Sequence, residues 1–284
     1  MTSLFNSFLY YGGRCIQGVL LVVALYLFIL LVFIHITQVI PLYYLQYPLI
    51  VSIVLTLLSL YLISFFVIMY IRTVFTKHLD TVPTSKLCEY FDGDLVNSPY
   101  ISCETCQCLK PFRCHHCQIC DCCIYRMDHH CIWVGQCIGI HNIRFFFLFI
   151  SSLSLSLLLG AITTYPLPFS TSIKLLFTFE CVLGSALFIF AFGHFLMIVT
   201  NQTSLEISSN IIDYIHQPSH LRRFITPYDL GISTNIHQIL RFASYWELFN
   251  PFSKQVSCDP MKVIVSREYM MYCDCLSEEN EQNQ

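Results

Sequence analysis

Charge is what this sequence has least of. Its 284 residues include 15 Lys and Arg and 18 Asp and Glu, 12% in all, for a net charge of −3. Such a balance leaves no basic footprint for a nucleic-acid backbone, so a nucleic-acid partner is excluded. With 55% apolar residues and a mean hydropathy of +0.61, the chain is also too apolar for an ordinary soluble domain of this size. A cleavable signal peptide is lacking too. The first apolar stretch is long enough to span, and no small-residue cleavage site follows it. Sixteen cysteines would suit a secreted disulfide scaffold only in a short chain without long apolar runs.

What the chain does have is four long apolar runs. They extend from about Gly18 to Ile40, Leu49 to Ile71, Arg144 to Thr164 and Leu175 to Thr200. At ~1.5 Å per residue, about 20 residues cross a ~30 Å hydrocarbon core, so each qualifies as a spanning helix. Pro41 and Pro48 bracket the expected turn between the first two, because helices usually stop before proline. Pro166 and Pro168 mark the turn between the last two. Of the 15 Lys and Arg, only Lys174 falls on the side of these short turns. Cytosolic segments carry the excess of Lys and Arg, which predicts cytosolic termini and a cytosolic central loop.

The organisation expected is a cytosolic leader at 1–17, transmembrane helices one and two at 18–71, and a cytosolic cysteine-rich domain at 72–143. Transmembrane helices three and four follow at 144–200, then a cytosolic C-terminal region at 201–284 with a disordered polar tail from Ser277 to Gln284. Inside the spans, Glu180 is expected at the interface or against a polar partner in the bundle. Ser151, Ser152, Ser154, Ser156 and Gly160 read first as helix-packing residues, and second as the wall of a cavity for a lipid chain.

The central loop holds the chemistry. Between Cys103 and Cys137 lie ten of the 16 cysteines and four histidines. Cys103 with Cys106, and Cys117 with Cys120, have zinc-knuckle spacing. Zinc takes four N or S ligands in a tetrahedron, and structural sites are built mainly from cysteine with histidine. Clustered knuckles suggest thiols kept reduced for metal. The candidates are too many for one ion and enough for two. Two Cys3His sites would use six cysteines and two histidines, leaving sulfur and imidazole over. Asp128, His129, His130 and Cys131 stand together in this surplus. A thiol beside imidazole and carboxylate makes a nucleophile, since thiolate attacks, imidazole takes its proton and carboxylate orients the imidazole. Chemistry alone leaves this reading level with a larger metal cluster.

This tetrad, with the cysteine frame before it and Trp133, Cys137, Gly139 and Asn142 after it, resembles the DHHC family of protein S-acyltransferases (palmitoyltransferases). The resemblance runs from Cys103 to Phe146 and includes Lys110, Pro111 and Arg113. Gln136 departs from it, standing where the family usually has Asn. Thr203, Ser204, Leu205 and Glu206 look like the family's Thr-Thr-x-Glu motif, with Ser in the second place. Asp80, Thr81 and Val82 are a degenerate form of its Asp-Pro-Gly. Tyr228, Asp229, Leu230, Gly231 and Asn235 resemble its C-terminal segment, whose asparagine packs into the core.

The resemblance implies an all-α polytopic membrane protein with four transmembrane helices and a cytosolic two-zinc cysteine-rich domain between spans two and three. It implies two structural zinc ions, one held by Cys103, Cys106, His116 and Cys123, the other by Cys117, Cys120, His130 and Cys137. Cys131 becomes nucleophile, His129 base and Asp128 orienter, moving a palmitoyl group from palmitoyl-CoA to a protein cysteine in two ping-pong steps. Arg113, Arg126 and Arg144 are candidate partners for the CoA phosphates. Membrane-associated proteins with cytosolic cysteines would be substrates, an accessory subunit has room beside it, and the Golgi or endoplasmic reticulum is the expected home ahead of the plasma membrane. Cys108, Cys114, Cys122, Cys273 and Cys275 receive no catalytic role. The competing reading is a catalytically silent, membrane-anchored zinc module that recruits partners. A RING-type ligase fits badly, for want of a third pair of knuckle cysteines.

Overall fold

The computed structural model describes residues 18–19, 22–23, 25–27, 29–30, 32–76, 101–110, 113–165, 171–216 and 226–256. Asp80 to Pro83, Pro111, Pro166, Pro168, Cys273, Cys275 and the polar tail lie outside the described residues. Among the described residues, four helices are long and apolar enough to cross a membrane: α1 (Leu25–Gln46), α2 (Leu49–Phe75), α3 (Ile143–Thr164) and α4 (Thr171–Val199). The chain is an integral membrane protein, mostly helical, with its cysteine-rich segment between the second and third spans.

Pro41 does not end the first helix. A π-helical turn, His35–Val39, precedes it, and the α-helix resumes through Ile40–Gln46 with Pro41 in its first turn. Proline inside a helix lacks a donor and crowds the carbonyl four residues back. At the restart of a helix after a π turn, the missing donor costs little. The connection to α2 is therefore only Tyr47 and Pro48. At the far end, α2 continues past the expected Ile71 to Phe75, while α4 begins at Thr171 and not at Leu175.

The most buried span is α3, which packs along both α2 and α4. Its small residues serve that packing. Ser154 donates to the Gly184 carbonyl of α4 at 3.0 Å. Glu180 of α4 is buried against Gly160 and accepts a bond from Thr164 at 3.3 Å. A Cβ on Gly160 would meet Glu180 Oε1 at 2.5 Å, so the glycine is what lets the carboxyl in.

The cysteine-rich segment adds strands that an all-α expectation omits. Six three-residue strands form three antiparallel hairpins: β1 (Ile101–Cys103) with β2 (Cys108–Lys110), β3 (His115–Cys117) with β4 (Cys122–Ile124), and β5 (His129–Cys131) with β6 (Gln136–Ile138). Their registers repeat with a shift of 14 residues: Cys103 faces Cys108, Cys117 faces Cys122 and Cys131 faces Gln136. The fourth residue after each of these cysteines is left-handed: Gln107 (φ 51°), Asp121 (φ 54°) and Gly135 (φ 75°). One turn geometry thus recurs three times. Strands this short cannot stand alone, so they depend on what cross-links them.

After α4 come α5 (Ser204–His216), α6 (Ile232–Leu240) and a single 3-10 turn, Tyr245–Leu248. Asn235 is fully buried. Its amide donates to Val199 O and Asp229 Oδ1, both at 2.7 Å, and its oxygen accepts from Leu230 N at 3.0 Å, tying α6 to the end of α4.

Candidate active site

Strand geometry separates neighbours that the sequence leaves side by side. Successive residues of a strand point to opposite faces. On β5, His129 and Cys131 share one face and His130 takes the other. His130 pairs in register with Cys137, as His116 pairs with Cys123 on the hairpin before.

Two four-residue clusters result: Cys103, Cys106, His116 and Cys123, then Cys117, Cys120, His130 and Cys137. The ligand atoms of each lie within 4.8 Å of one another. Each cluster takes a knuckle pair from one hairpin and a His and Cys from the next, so the clusters interlock the three hairpins. A tetrahedron with metal–sulfur bonds of ~2.3 Å and metal–nitrogen bonds of ~2.0 Å has S···S edges of about 3.8 Å and S···N edges of about 3.5 Å. In the second cluster, Cys120 and Cys137 sulfurs are 3.6 Å apart, and His130 Nδ1 lies 3.5, 3.4 and 3.5 Å from Cys117, Cys120 and Cys137. In the first, Cys106 and Cys123 sulfurs are 3.7 Å apart, with His116 Nδ1 3.2 and 4.0 Å from them. The donors fit zinc in number, type and spacing.

Cys131 belongs to neither cluster. On its own face of the strand, His129 Nδ1 is 2.7 Å from Asp128 Oδ2. Burial opposes a charge on Asp128. The bond to His129, the nearby His194 and the Ser204 N–H outweigh it and hold the carboxyl well below its usual range. Burial also works against a proton on His129, but the Asp128 bond and the Cys131 sulfur push it up to about 9. Carboxylate, imidazole and thiol thus act on one another in sequence.

The segment after α4 holds Asp128 in place. Ser204 N donates to Asp128 Oδ1 at 2.7 Å, and Ser204 Oγ donates to the Asp128 carbonyl at 2.6 Å. Thr203 and Glu206 form a capping box at the start of α5: Thr203 N donates to Glu206 Oε2 at 2.9 Å and Glu206 N to Thr203 Oγ1 at 3.2 Å. Glu206 also receives a forked pair of bonds from Arg113, Nε at 2.6 Å and Nη2 at 2.9 Å. Gln136 anchors the third hairpin from another side. Its amide donates to Val74 O at 2.9 Å and to Thr73 O, so it meets carbonyls left open at the end of α2.

Below the thiol opens a cavity of about 610 Å³. His129 and Cys131 stand at one end, and Trp133, Phe146, Leu153 and Leu187 are among its walls. Neither Gly160 nor any serine of α3 reaches it. The expectation that they wall a cavity is therefore corrected: Ser154 and Gly160 meet α4, Ser152 bonds carbonyls of its own helix, and large apolar residues line the space.

The three arginines expected as candidate partners for CoA phosphates have partners inside the protein. Arg113 is spent on Glu206 and on Asn201 O and Oδ1, and its guanidinium lies 4.0 Å over the Tyr228 ring. Arg126 is buried and donates to Gln202 O at 3.2 Å. Arg144 is buried too, holding Arg241 O, Glu247 O and Ser253 Oγ. Each guanidinium bonds backbone carbonyls or a carboxylate inside the protein.

One residue of the site escaped the sequence reading. His194 of α4 is buried, with Nε2 3.6 Å from Asp128 Oδ2 and its ring edge-on to Phe146 and His129. An imidazole inside a membrane span is the signal that could have found it.

Fold and site together define a four-span membrane protein with an interlocked Cys/His domain and a thiol–imidazole–carboxylate row above an apolar cavity. Residues 97–211 match the family profile described as DHHC palmitoyltransferase. Probable protein S-acyltransferase 12 of Arabidopsis thaliana is 30% identical over 188 residues, 61% of this chain and 60% of that relative. Palmitoyltransferase ZDHHC15A of Danio rerio is 32% identical over 165 residues, 54% of this chain and 48% of the relative. Protein S-acyltransferase 8 of Arabidopsis thaliana is 57% identical over 53 residues, 19% of this chain and 13% of the relative. Over residues 97–211, which hold both Cys/His clusters and the thiol row, the chain is similar to the DHHC palmitoyltransferase family. It spans at most 60% of the length of these relatives.

Proposed function

We propose that this protein transfers a fatty acyl group from acyl-CoA to cysteines of membrane-associated proteins, through an acyl-enzyme on Cys131. One observation carries the reading: Cys131 stands outside both Cys/His clusters, on the strand face of His129, at the end of an apolar cavity. In the first step the Cys131 sulfur attacks the thioester carbonyl, a new carbon–sulfur bond forms, and the bond to the CoA sulfur breaks. The CoA thiolate leaves with the proton that His129 holds. In the second step His129 takes the proton of an incoming protein thiol, which attacks the acyl-enzyme and regenerates Cys131. Asp128 keeps His129 oriented and favours its charged form, and Ser204 keeps Asp128 still.

The acyl tail enters the cavity between the spans, where each buried methylene contributes about 0.8 kcal/mol. Zinc, when bound by the two clusters, supplies cross-linking alone, because four protein ligands leave no open position. With 14 of 15 Lys and Arg on the side of the cysteine-rich domain, that side faces the cytosol. A detergent-purified preparation incubated with labelled palmitoyl-CoA should acquire a hydroxylamine-sensitive label that Cys131→Ala abolishes. A chain that binds metal and takes no label would instead be a recruitment module.

A further inference from the structure

The segment after α6 folds back along α2. Tyr61 Oη donates to Phe249 O at 2.7 Å, and Arg72 Nη1 donates to Pro251 O at 2.6 Å. The 27 residues of α2 span ~40 Å, about 10 Å more than a ~30 Å hydrocarbon core. Tyr61 lies 14 residues from the Phe75 end, or ~21 Å along the axis. Even if all the excess length projected on that side, Tyr61 would stand ~11 Å below the hydrocarbon boundary. The backbone it grips therefore runs beside the embedded part of the helix.

The outer face of that segment is aromatic and uncovered. Trp246 is 81% exposed, Phe252 75% and Phe249 63%. Trp246 and Phe249 rings sit 6.4 Å apart, so they form one patch. Irregular backbone enters a bilayer only where its polar groups are met within the protein, and most of this segment's are. Phe249 O and Pro251 O are met by Tyr61 and Arg72. Glu247 O accepts from Arg144 and Ser253. Glu247, Phe249, Asn250 and Ser253 N–H groups bond within the segment, and Phe252 N donates to Asn250 Oδ1.

We propose that residues 245–252 form a membrane-embedded aromatic anchor, with Trp246, Phe249 and Phe252 among the acyl chains of the leaflet nearest the cysteine-rich domain. Lipid is the occupant because the depth of Tyr61 sets the height of the patch, and because Trp is enriched where a protein meets the membrane–water interface. Arg144, which grips the same segment, lies two residues before Phe146 of the cavity wall. The anchor thereby fixes the start of α3, and with it the height of Cys131 over the bilayer.

The chain has two tryptophans, Trp133 and Trp246, so Trp133→Phe leaves the anchor as the sole indole. That variant, checked for monodisperse elution, would be placed in nanodiscs of lipids brominated partway along their acyl chains. Trp246 emission should be largely lost to the brominated lipid and should hardly respond to iodide in the buffer. Strong iodide quenching without bromine quenching would overturn the proposal, placing the patch in water. Resistance to both would overturn it as well, placing residues 257–284 or another protein over the patch. If Trp133→Phe fails to fold, the difference between the unaltered chain and Trp246→Phe reads the same quantity. No acyl transfer enters the measurement, so its outcome is independent of the proposed reaction.

Discussion

Cys131 stands on the third hairpin where Cys117 stands on the second. Cys117 pairs with Cys122 at the hairpin's turn end, and Cys131 with Gln136, 14 residues on. Cys117 shares its knuckle with Cys120, whereas the matching place beside Cys131 is Val134, buried in the core with its N–H turned to Cys131 O at 3.3 Å. Each cluster needs a His and Cys from the following hairpin, and after the third hairpin comes α3. The free thiol is thus the last knuckle position of a repeat that has run out of partners.

Loss of Cys131 and of Cys137 should therefore fail in different ways. Cys131→Ala should keep two zincs per chain and its melting temperature while losing all acyl label. Cys137→Ala opens a cluster whose metal binding is worth on the order of 10 kcal/mol of folding, so it should lose zinc and melt earlier. His129→Ala should stay folded and react slowly, and His130→Ala should be metal-depleted. Elemental analysis beside hydroxylamine-sensitive label reads all four; a Cys131→Ala chain that lost metal would refute the division.

Val134→Cys should rebuild the missing knuckle. Two thiolates at this spacing form a soft pair that captures zinc, so acyl labelling of the variant should fall as zinc in the medium is raised. The unaltered chain should be insensitive over the same range. Equal sensitivity of the two would show that Cys131 does not occupy a knuckle position.

Arg113 should prove a support of the fold and not a phosphate ligand. Its forked bond to Glu206 is largely buried, and breaking a buried pair from one side costs about 3–5 kcal/mol. Arg113→Gln should melt far earlier, and adding Glu206→Gln should return part of the loss. The acyl-CoA concentration giving half-maximal labelling should stay unchanged in the folded fraction; a large rise would restore the phosphate assignment.

Chain-length preference should respond to the residues that line the cavity. Leu153→Phe takes up room for about one methylene, worth about 0.8 kcal/mol, so palmitoyl-CoA should lose roughly four-fold against a shorter chain. Gly160→Ala lies off the cavity and against Glu180, and should lower the melting temperature without changing the preference. Competition between acyl-CoAs of graded length separates the two.

The four spans, the interleaved Cys/His spacing and the tetrad from Asp128 to Cys131 were legible in the primary structure, because length, hydropathy and residue type are local properties. The resemblance, not the spacing, divided His129 from His130. Strand alternation supplies the physical reason, since a pleat turns adjacent side chains to opposite faces. The 14-residue repeat was visible in principle, but its sign is a backbone register shared by Gln107, Asp121 and Gly135 more than any shared side chain. Only tertiary structure could show what the arginines hold inside the protein. A guanidinium reads alike in any sequence, and what it binds depends on carbonyls and carboxylates brought in from far along the chain, as Glu206 is to Arg113 and Glu247 is to Arg144. For the same reason His194, dozens of residues from Asp128, enters the site only when α4 packs beside α3.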